Sequence, residues 1–155
     1  MNDVTVFNRQ RTKAVNRPLL KQIIGGLLAD LEVAQAEIGI HLVGAKEMAR
    51  VNWQFLQHEG STDVITFDHG SSHKTGETFL NGELFVCVDD AVAQARQFKT
   101  TWQSEVVRYV VHGILHLMGH DDLKPDLRRA MKREENRCLQ ALARKFSLAQ
   151  IARRS

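Results

Sequence analysis

The chain of 155 residues has only two cysteines, and their positions argue against a disulfide framework. Cys87 lies in an apolar run with strand character and Cys138 in a helical segment, and neither has a Cys-x-x-Cys partner. Small secreted domains depend on many cysteines, and cysteine zinc sites use closely spaced pairs. We therefore expect both thiols to be reduced residues in or near the core, in a reducing compartment.

The sequence also lacks a long uninterrupted apolar run. Its most apolar early stretch, residues 19–31, is broken by Lys21, Gly25, Gly26 and Asp30, whereas a membrane helix needs about 18 or more apolar residues in succession. The first residues have neither the basic start nor the apolar stretch of a signal peptide. We expect a cytoplasmic protein with no membrane partner.

Charge is unevenly distributed along a chain of ordinary globular composition, 43% hydrophobic and 25% charged. The net charge is +3, but residues 124–155 hold ten Lys or Arg and three Asp or Glu, so that this segment is basic and the remainder is acidic. A basic helix is consistent with a phosphate-rich partner. A run of charge is also typical of a solvated helix face.

Hydrophobic periodicity predicts one α+β domain, α/β-like in its alternation, that spans residues 1–155. A small mixed four-stranded sheet is packed by about five helices. The predicted strands are 4–8, 37–44, 63–68 and 82–89, with a polar loop at 69–81. The predicted helices are 18–31, 46–57, a segment capped by Asp89 and Asp90 that ends at 98, a segment from about 102 to 118, and 126–146.

The fourth of these helices is apolar in almost every direction, which is typical of a buried helix. Its exceptions, Glu105, Arg108, His112 and His116, recur at steps of three or four residues and share one narrow face. A buried helix with a single polar strip is predicted to line a cleft. The imidazoles of His112 and His116, one turn apart, can converge on one ion at roughly 2 Å each.

A third ligand requires the helix to stop. In a continuous helix His120 would lie about 12 Å along the axis from His112, too far to share an ion. Gly119 is placed to end the helix, because glycine accepts a left-handed conformation at little cost. The chain can then fold back and present His120, Asp121 or Asp122. A lone histidine on an apolar helix is usually a satisfied core residue, but this combination of residues is poorly explained by packing alone.

Three segments resemble the YbeY proteins, which are bacterial metal-dependent endoribonucleases of ribosomal RNA maturation. Residues 112–122, HGILHLMGHDD, resemble the family signature H-G-x-L-H-L-x-G-[Y/H]-D-H. Residues 62–67, TDVITF, are similar to T-[N/D]-V-L-S-F, and residues 82–86, GELFV, to G-D-I-V-I. With Asn52 also in register, the resemblance extends from about residue 38 to 122.

The resemblance implies a metal site formed by His112, His116 and Asp122, with Zn²⁺ as the ion and other divalent ions as substitutes. Asp122 stands where the family has its third histidine, at an unchanged spacing of ten residues from His112, and His120 is the alternative ligand. Leu56 replaces an arginine of the family, so the role of that arginine does not transfer. Glu83 replaces an aspartate.

By the same resemblance the chain is a single-strand-specific endoribonuclease. It would act in late 3′-end processing of small-subunit ribosomal RNA and in ribosome quality control, with RNA and the ribosome as partners. A bound divalent ion can activate water for phosphodiester cleavage. No protein side chain is assigned as the catalytic base, and the oligomeric state is open.

Two other functions fit parts of the pattern. The His-x-x-x-His spacing is also that of zinc metallopeptidases, but Gly113 occupies the position of their catalytic glutamate. A non-catalytic ribosome-assembly factor with a structural metal would be favoured if His120 or Asp121 joined the other three ligands, because structural zinc sites are usually closed by four protein ligands.

Overall fold

The computed structural model describes residues 2–74 and 77–152, and in these ranges a five-stranded mixed sheet is packed by five α-helices. The strands are β1 Asn2–Asn8, β2 Gln35–Val43, β3 Val64–Asp68, β4 Ser72–Lys74 and β5 Glu77–Cys87. The helices are α1 Arg17–Asp30, α2 Ala45–Val51, α3 Val88–Phe98, α4 Trp102–Leu117 and α5 Pro125–Lys145. A π-helical turn, Asn52–Leu56, continues α2, and a 3₁₀ turn, Leu148–Ala152, follows α5.

The main strand order is β1-β2-β5-β3. β2 pairs in parallel with both β1 and β5, whereas β3 pairs antiparallel with β5. This arrangement confirms the predicted mixed α+β fold. It also places β5, which runs through the middle of the sheet, directly beneath α4.

The sheet has five strands rather than the four predicted. β4 and the first half of β5, residues 77–81, lie in the segment that was expected to be a polar loop, and they pair with each other as antiparallel strands. β4 is polar, and residues 77–81 contain only two apolar residues, Phe79 and Leu80, so periodicity gave no signal although Leu80 is fully buried in the core. Residues 75 and 76 of the expected loop lie outside the described residues, as do residues 1 and 153–155 of the expected domain.

Asp89 does not cap α3 as predicted. The residue at the N-terminal cap is Cys87, which makes no side-chain cap bond, and Asp89 and Asp90 lie in the first turn. The Asp89 carboxylate instead accepts a hydrogen bond of 2.6 Å from the backbone N–H of Ala45, the first residue of α2. The Asp89 carboxylate therefore stabilises the start of α2, a contact between distant segments that local sequence does not reveal.

The core lies between the sheet and the helices α1, α4 and α5. Fully buried leucine, isoleucine and valine side chains from these elements form one continuous cluster. Both cysteines are buried and free, as expected. None of the helices in the described ranges combines the length and apolar character that crossing a membrane demands.

Gly113 lets α4 approach the sheet closely, directly beside His112. A Cβ atom at this position would lie 2.4 Å from Cδ2 of Leu84 on β5 and 3.0 Å from Oγ1 of Thr66 on β3. Any larger residue would push the helix away from the sheet. The glycine therefore sets the height of the histidine strip above β3 and β5.

We expect Gly113→Ala to lower the free energy of unfolding by about 1–3 kcal/mol, because the added methyl group overpacks the core. Gly25→Ala is the matched control in α1, where a Cβ would meet nothing within 4 Å. It should raise the free energy of unfolding by about 0.5–1 kcal/mol through helix propensity. Urea unfolding followed by circular dichroism measures both, and equal effects of the two changes would refute the close approach at Gly113.

Candidate metal centre

α4 carries two histidines on its polar strip, close enough to bind the same metal ion. Thr101 is the N-terminal cap of this helix, and its side chain accepts a hydrogen bond of 3.2 Å from the N–H of Ser104. Three turns later His112 and His116, both half-buried, face the same space, and their Nε2 atoms are 3.1 Å apart. This confirms the predicted strip on a buried helix.

The chain turns back at Gly119, as the length of a continuous helix required. Gly119 has φ of +96°. Its N–H donates to the carbonyl of His116, and the N–H of His120 donates to the carbonyl of Leu115, both at 3.0 Å. These two bonds form the Schellman arrangement that closes a helix C-terminus. The turn directs the next residues toward the histidine pair.

Asp122 completes a group of three potential ligands. Its Oδ2 lies 3.8 Å from Nε2 of His112 and 3.7 Å from Nε2 of His116. Ligand atoms that are each about 2 Å from a tetrahedral ion lie roughly 3.4 Å apart. Two imidazoles and one carboxylate with this spacing therefore fit a divalent ion of the zinc type.

His120 and Asp121, the other candidates for the third ligand, have different contacts. The carbonyl of His120 accepts a hydrogen bond of 3.1 Å from Nδ1–H of His116. The Asp121 carboxylate accepts a bond of 2.6 Å from the N–H of Leu123 within the loop. Among residues 2–74 and 77–152, only His112, His116 and Asp122 come together as such a group.

Glu135 on α5 is a part of the site that sequence reasoning missed. The carboxyl group is buried, with 5% of the residue exposed, and its Oε2 lies 3.9 Å from Nδ1 of His112. Arg108 and Lys132 approach the same carboxylate at 3.4 and 3.6 Å. The sequence did contain a signal that Glu135 is buried, because it lies between Met131 and Cys138 on the apolar face of its helix.

The partners of Nδ1 direct both Nε2 atoms toward the same space. Because His116 donates Nδ1–H to a carbonyl, its neutral ring carries a lone pair on Nε2. With Nδ1 of His112 toward the Glu135 carboxylate, the same holds for His112. Two lone pairs at 3.1 Å repel each other unless a cation, a metal ion or a proton, lies between them. This is an electrostatic reason for a cation at the site.

The two histidines differ in their affinity for protons. The Glu135 carboxylate raises the pKa of His112 above its ordinary value, against the effect of burial. Burial lowers the pKa of His116, and the neighbouring His112 lowers it further. Burial by itself raises the pKa of Glu135, but His112, Lys132 and Arg108 outweigh it, so that this carboxyl group has a lowered pKa.

The three residues lie where two clefts meet. A cleft of about 480 Å³ has a cationic wall of Arg108, Arg128, Arg129 and Lys132. A second cleft of about 610 Å³ has Leu56 and His58 on its wall. Residues lining both clefts are Asp63, Val64, His112 and Asp122. An extended ligand can therefore pass from one cleft to the other over the histidine pair.

Comparison with known proteins agrees with the sequence signature. The family model described as Endoribonuclease YbeY matches residues 5–143. The chain belongs to the YbeY family. Proteins named Endoribonuclease YbeY from Chlorobium luteolum and Elusimicrobium minutum are 37% and 36% identical over 108 and 121 residues. These alignments cover 70% and 78% of this chain, and 75% and 85% of the two relatives.

A solved structure has the same fold. The solution structure of TM1509 from Thermotoga maritima superposes with a TM-score of 0.64 at 25% sequence identity. The match covers 92% of this chain and 89% of that protein. The metallopeptidase alternative finds no support among these relatives.

The three departures from the YbeY signature occupy different environments. Asp122 lies beside the histidine pair, and Leu56 lines the second cleft. The Glu83 carboxylate accepts hydrogen bonds from Nε2–H of His41 at 2.7 Å and of His69 at 2.8 Å, and Glu83 lines neither cleft. The buried Asn52, which matches the YbeY signature, donates a bond of 3.0 Å to the carbonyl of Gly60 and shapes the loop before β3.

In the metal-free protein we expect His112 to titrate at a higher pH than His116. Glu135→Gln should lower the pKa of His112, since it removes the charge that stabilises the imidazolium. The pKa of His116 should rise or stay unchanged, because its neighbour is then less often charged. Nuclear magnetic resonance of the ring protons as a function of pH measures both values. An unchanged pKa of His112 in the variant would exclude Glu135 as its partner.

Proposed function

We propose that the chain is a single-strand-specific, metal-dependent endoribonuclease of ribosomal RNA processing. Late 3′-end maturation of small-subunit RNA and ribosome quality control are its proposed roles, in the cytoplasm and with the ribosome as partner. The main support is the position of the His112, His116 and Asp122 group, at the junction of two open clefts in a chain of an endoribonuclease family. One domain, residues 1–155, would contain the whole activity.

His112, His116 and Asp122 would hold the ion, and zinc suits this donor set best. Such an ion supplies a Lewis acid for a phosphoryl oxygen and lowers the pKa of water toward neutrality. The remaining work falls to the protein. The His120 carbonyl and Glu135 fix the orientation of the two imidazole rings, and groups of this kind support ligand geometry in metal sites.

The cationic wall would hold the RNA backbone. Arg128, Arg129 and Lys132 project from exposed positions of α5 beside the site, and Arg108 lies deeper in the same cleft. Phosphate contacts of this kind position a nucleic acid without reading its sequence. A strand bound here would present one phosphodiester to the ligand group while continuing into the second cleft, as cleavage within a chain requires.

A purely structural metal is less well supported. A closed structural zinc site has four protein ligands. Here the third and last side chain in the group is Asp122, and His120 contributes its backbone carbonyl to His116 instead. An ion held by these residues would have three protein side chains as ligands instead of the four of a closed structural site.

We expect His116→Ala and Asp122→Ala to lose bound zinc and to abolish cleavage of single-stranded ribosomal RNA fragments. His120→Ala should keep both, because the main-chain carbonyl that orients His116 survives the change. Metal content by mass spectrometry and cleavage by gel electrophoresis measure the two properties. If His120→Ala lost its zinc and Asp122→Ala did not, the ligand assignment would be wrong. If the zinc-loaded wild type failed to cut RNA, the proposed activity would be wrong.

RNA binding should weaken as the salt concentration rises. The combined change Arg129→Ala and Lys132→Ala should make the affinity for RNA less dependent on salt. Removal of one phosphate contact lowers the slope of log K against log salt by about 0.7 for a single strand. The matched control is Arg144→Ala, an exposed change on α5 that is outside the cleft lining. Fluorescence anisotropy with a labelled oligonucleotide, in the presence of chelator, measures the slopes. Equal slopes for all variants would exclude the cationic wall as the backbone site.

A further inference from the structure

Three side chains of the π-helical turn, Trp53, Phe55 and Leu56, are apolar and exposed, and they are called here the aromatic shelf. Trp53, Phe55 and Leu56 are 58%, 57% and 45% exposed. The other exposed large apolar residues of the described chain do not occur three to a turn of five residues: they are Phe7, Phe98, Leu123 and Leu127. Short π-helical turns within α-helices also occur frequently at functional sites.

The shelf is held in place by the surrounding structure. The Phe55 ring packs edge-on against Phe67 of β3, with ring centroids 5.4 Å apart. The turn ends at Gln57, which has φ of +56°, and the carbonyl of Trp53 accepts a hydrogen bond of 3.0 Å from its N–H. The buried Asn52 ties the start of the turn to Gly60. The backbone of the turn and the Phe55 ring are therefore ordered before a ligand binds.

The shelf is continuous with the proposed catalytic site. Leu56 lines the second cleft together with His112, His116 and Asp122, and His58 lines it too. Trp53 and Phe55 belong to the same five-residue turn as Leu56. The first cleft, across the ligand group, has the cationic wall. One end of the trough thus suits phosphates, and the other end suits flat apolar groups.

We propose that the aromatic shelf binds an unstacked base of single-stranded RNA next to the phosphodiester that is cut. The inference rests on the proposed nuclease function and adds a basis for its choice of substrate. Bases in a duplex are paired and stacked on one another, so that their faces are not available to an aromatic side chain. A single strand can turn a base outward, and stacking on an aromatic ring tolerates any base.

The position of the shelf favours a nucleobase over an apolar protein segment as the occupant. Its inner edge, Leu56, opens into the second cleft, which is lined by both histidines and by Asp63, Asp68 and Asp122. The first cleft, which shares His112 and Asp122 with it, has three arginines and one lysine on its wall. An apolar peptide would have to leave these polar groups uncovered or unpaired. A nucleotide has a flat base for the shelf and an anionic phosphate for the polar end, and it satisfies both.

The test uses Trp53 as its own reporter. The chain has two tryptophans, Trp53 and Trp102, and the second is half-buried against the core. In full-length Trp102→Phe protein with chelator present, the emission of Trp53 should be quenched by a single-stranded RNA oligonucleotide and not by the same sequence in a duplex. Trp53→Ala should weaken binding of the single strand about tenfold and raise KM for cleavage, while Trp53→Phe keeps most of the affinity.

Phe98→Ala is the control, since Phe98 is 60% exposed at the end of α3 and lines neither cleft. It should leave affinity and KM unchanged. The inference is overturned if wild type cuts RNA while the single strand does not quench Trp53 emission and Trp53→Ala has the same KM as wild type. Equal quenching by single strand and duplex, or an equal loss in Phe98→Ala, would also overturn it. A failure of wild type to cut RNA at all would instead count against the proposed function, since the binding measurements do not depend on cleavage.

Discussion

The site depends on a helix that is buried almost all round and yet must present two imidazoles to one point. α4 meets this demand by facing the core with its apolar side chains while a single strip remains at the cleft. The strip can reach a third ligand only if the helix ends within one turn of His116, because each further turn moves the next ligand about 5.4 Å away. Gly119 supplies that end, and the loop behind it brings Asp122 to the pair.

Burial of polar groups on this strip is balanced by charge. A carboxylate buried without partners would be protonated or would destabilise the fold. Glu135 stays anionic because Arg108, Lys132 and His112 surround it. The same carboxylate holds His112 in the orientation that leaves Nε2 free for a cation. α5 therefore does more than cover the core: its buried Glu135 faces His112, and its exposed face lines the cationic cleft.

Features encoded in local periodicity could be predicted from sequence, and features that depend on tertiary contact could not. The apolar pattern of α4, the stop at Gly119 and the order of the elements all follow from spacing rules. β4 escaped prediction because its residues are polar and pair only with the extended start of β5. The true partner of Asp89 lies 44 residues earlier in the chain. Glu135 belongs to another helix, so that only its place on an apolar face hinted at burial.

The surroundings of Leu56 explain how the site can work without the arginine that the YbeY signature has at this position. Loss of a cation near a phosphate site would weaken electrostatic attraction if nothing replaced it. The cationic wall lies on the opposite side of the ligand group, on α4 and α5, so attraction for the backbone does not depend on position 56. At that position the chain instead places an apolar side chain at the edge of the cleft, in the same turn as the exposed Trp53 and Phe55. The cationic wall then suits phosphates, and the aromatic shelf suits an unstacked base. A single strand of RNA can contact both at once.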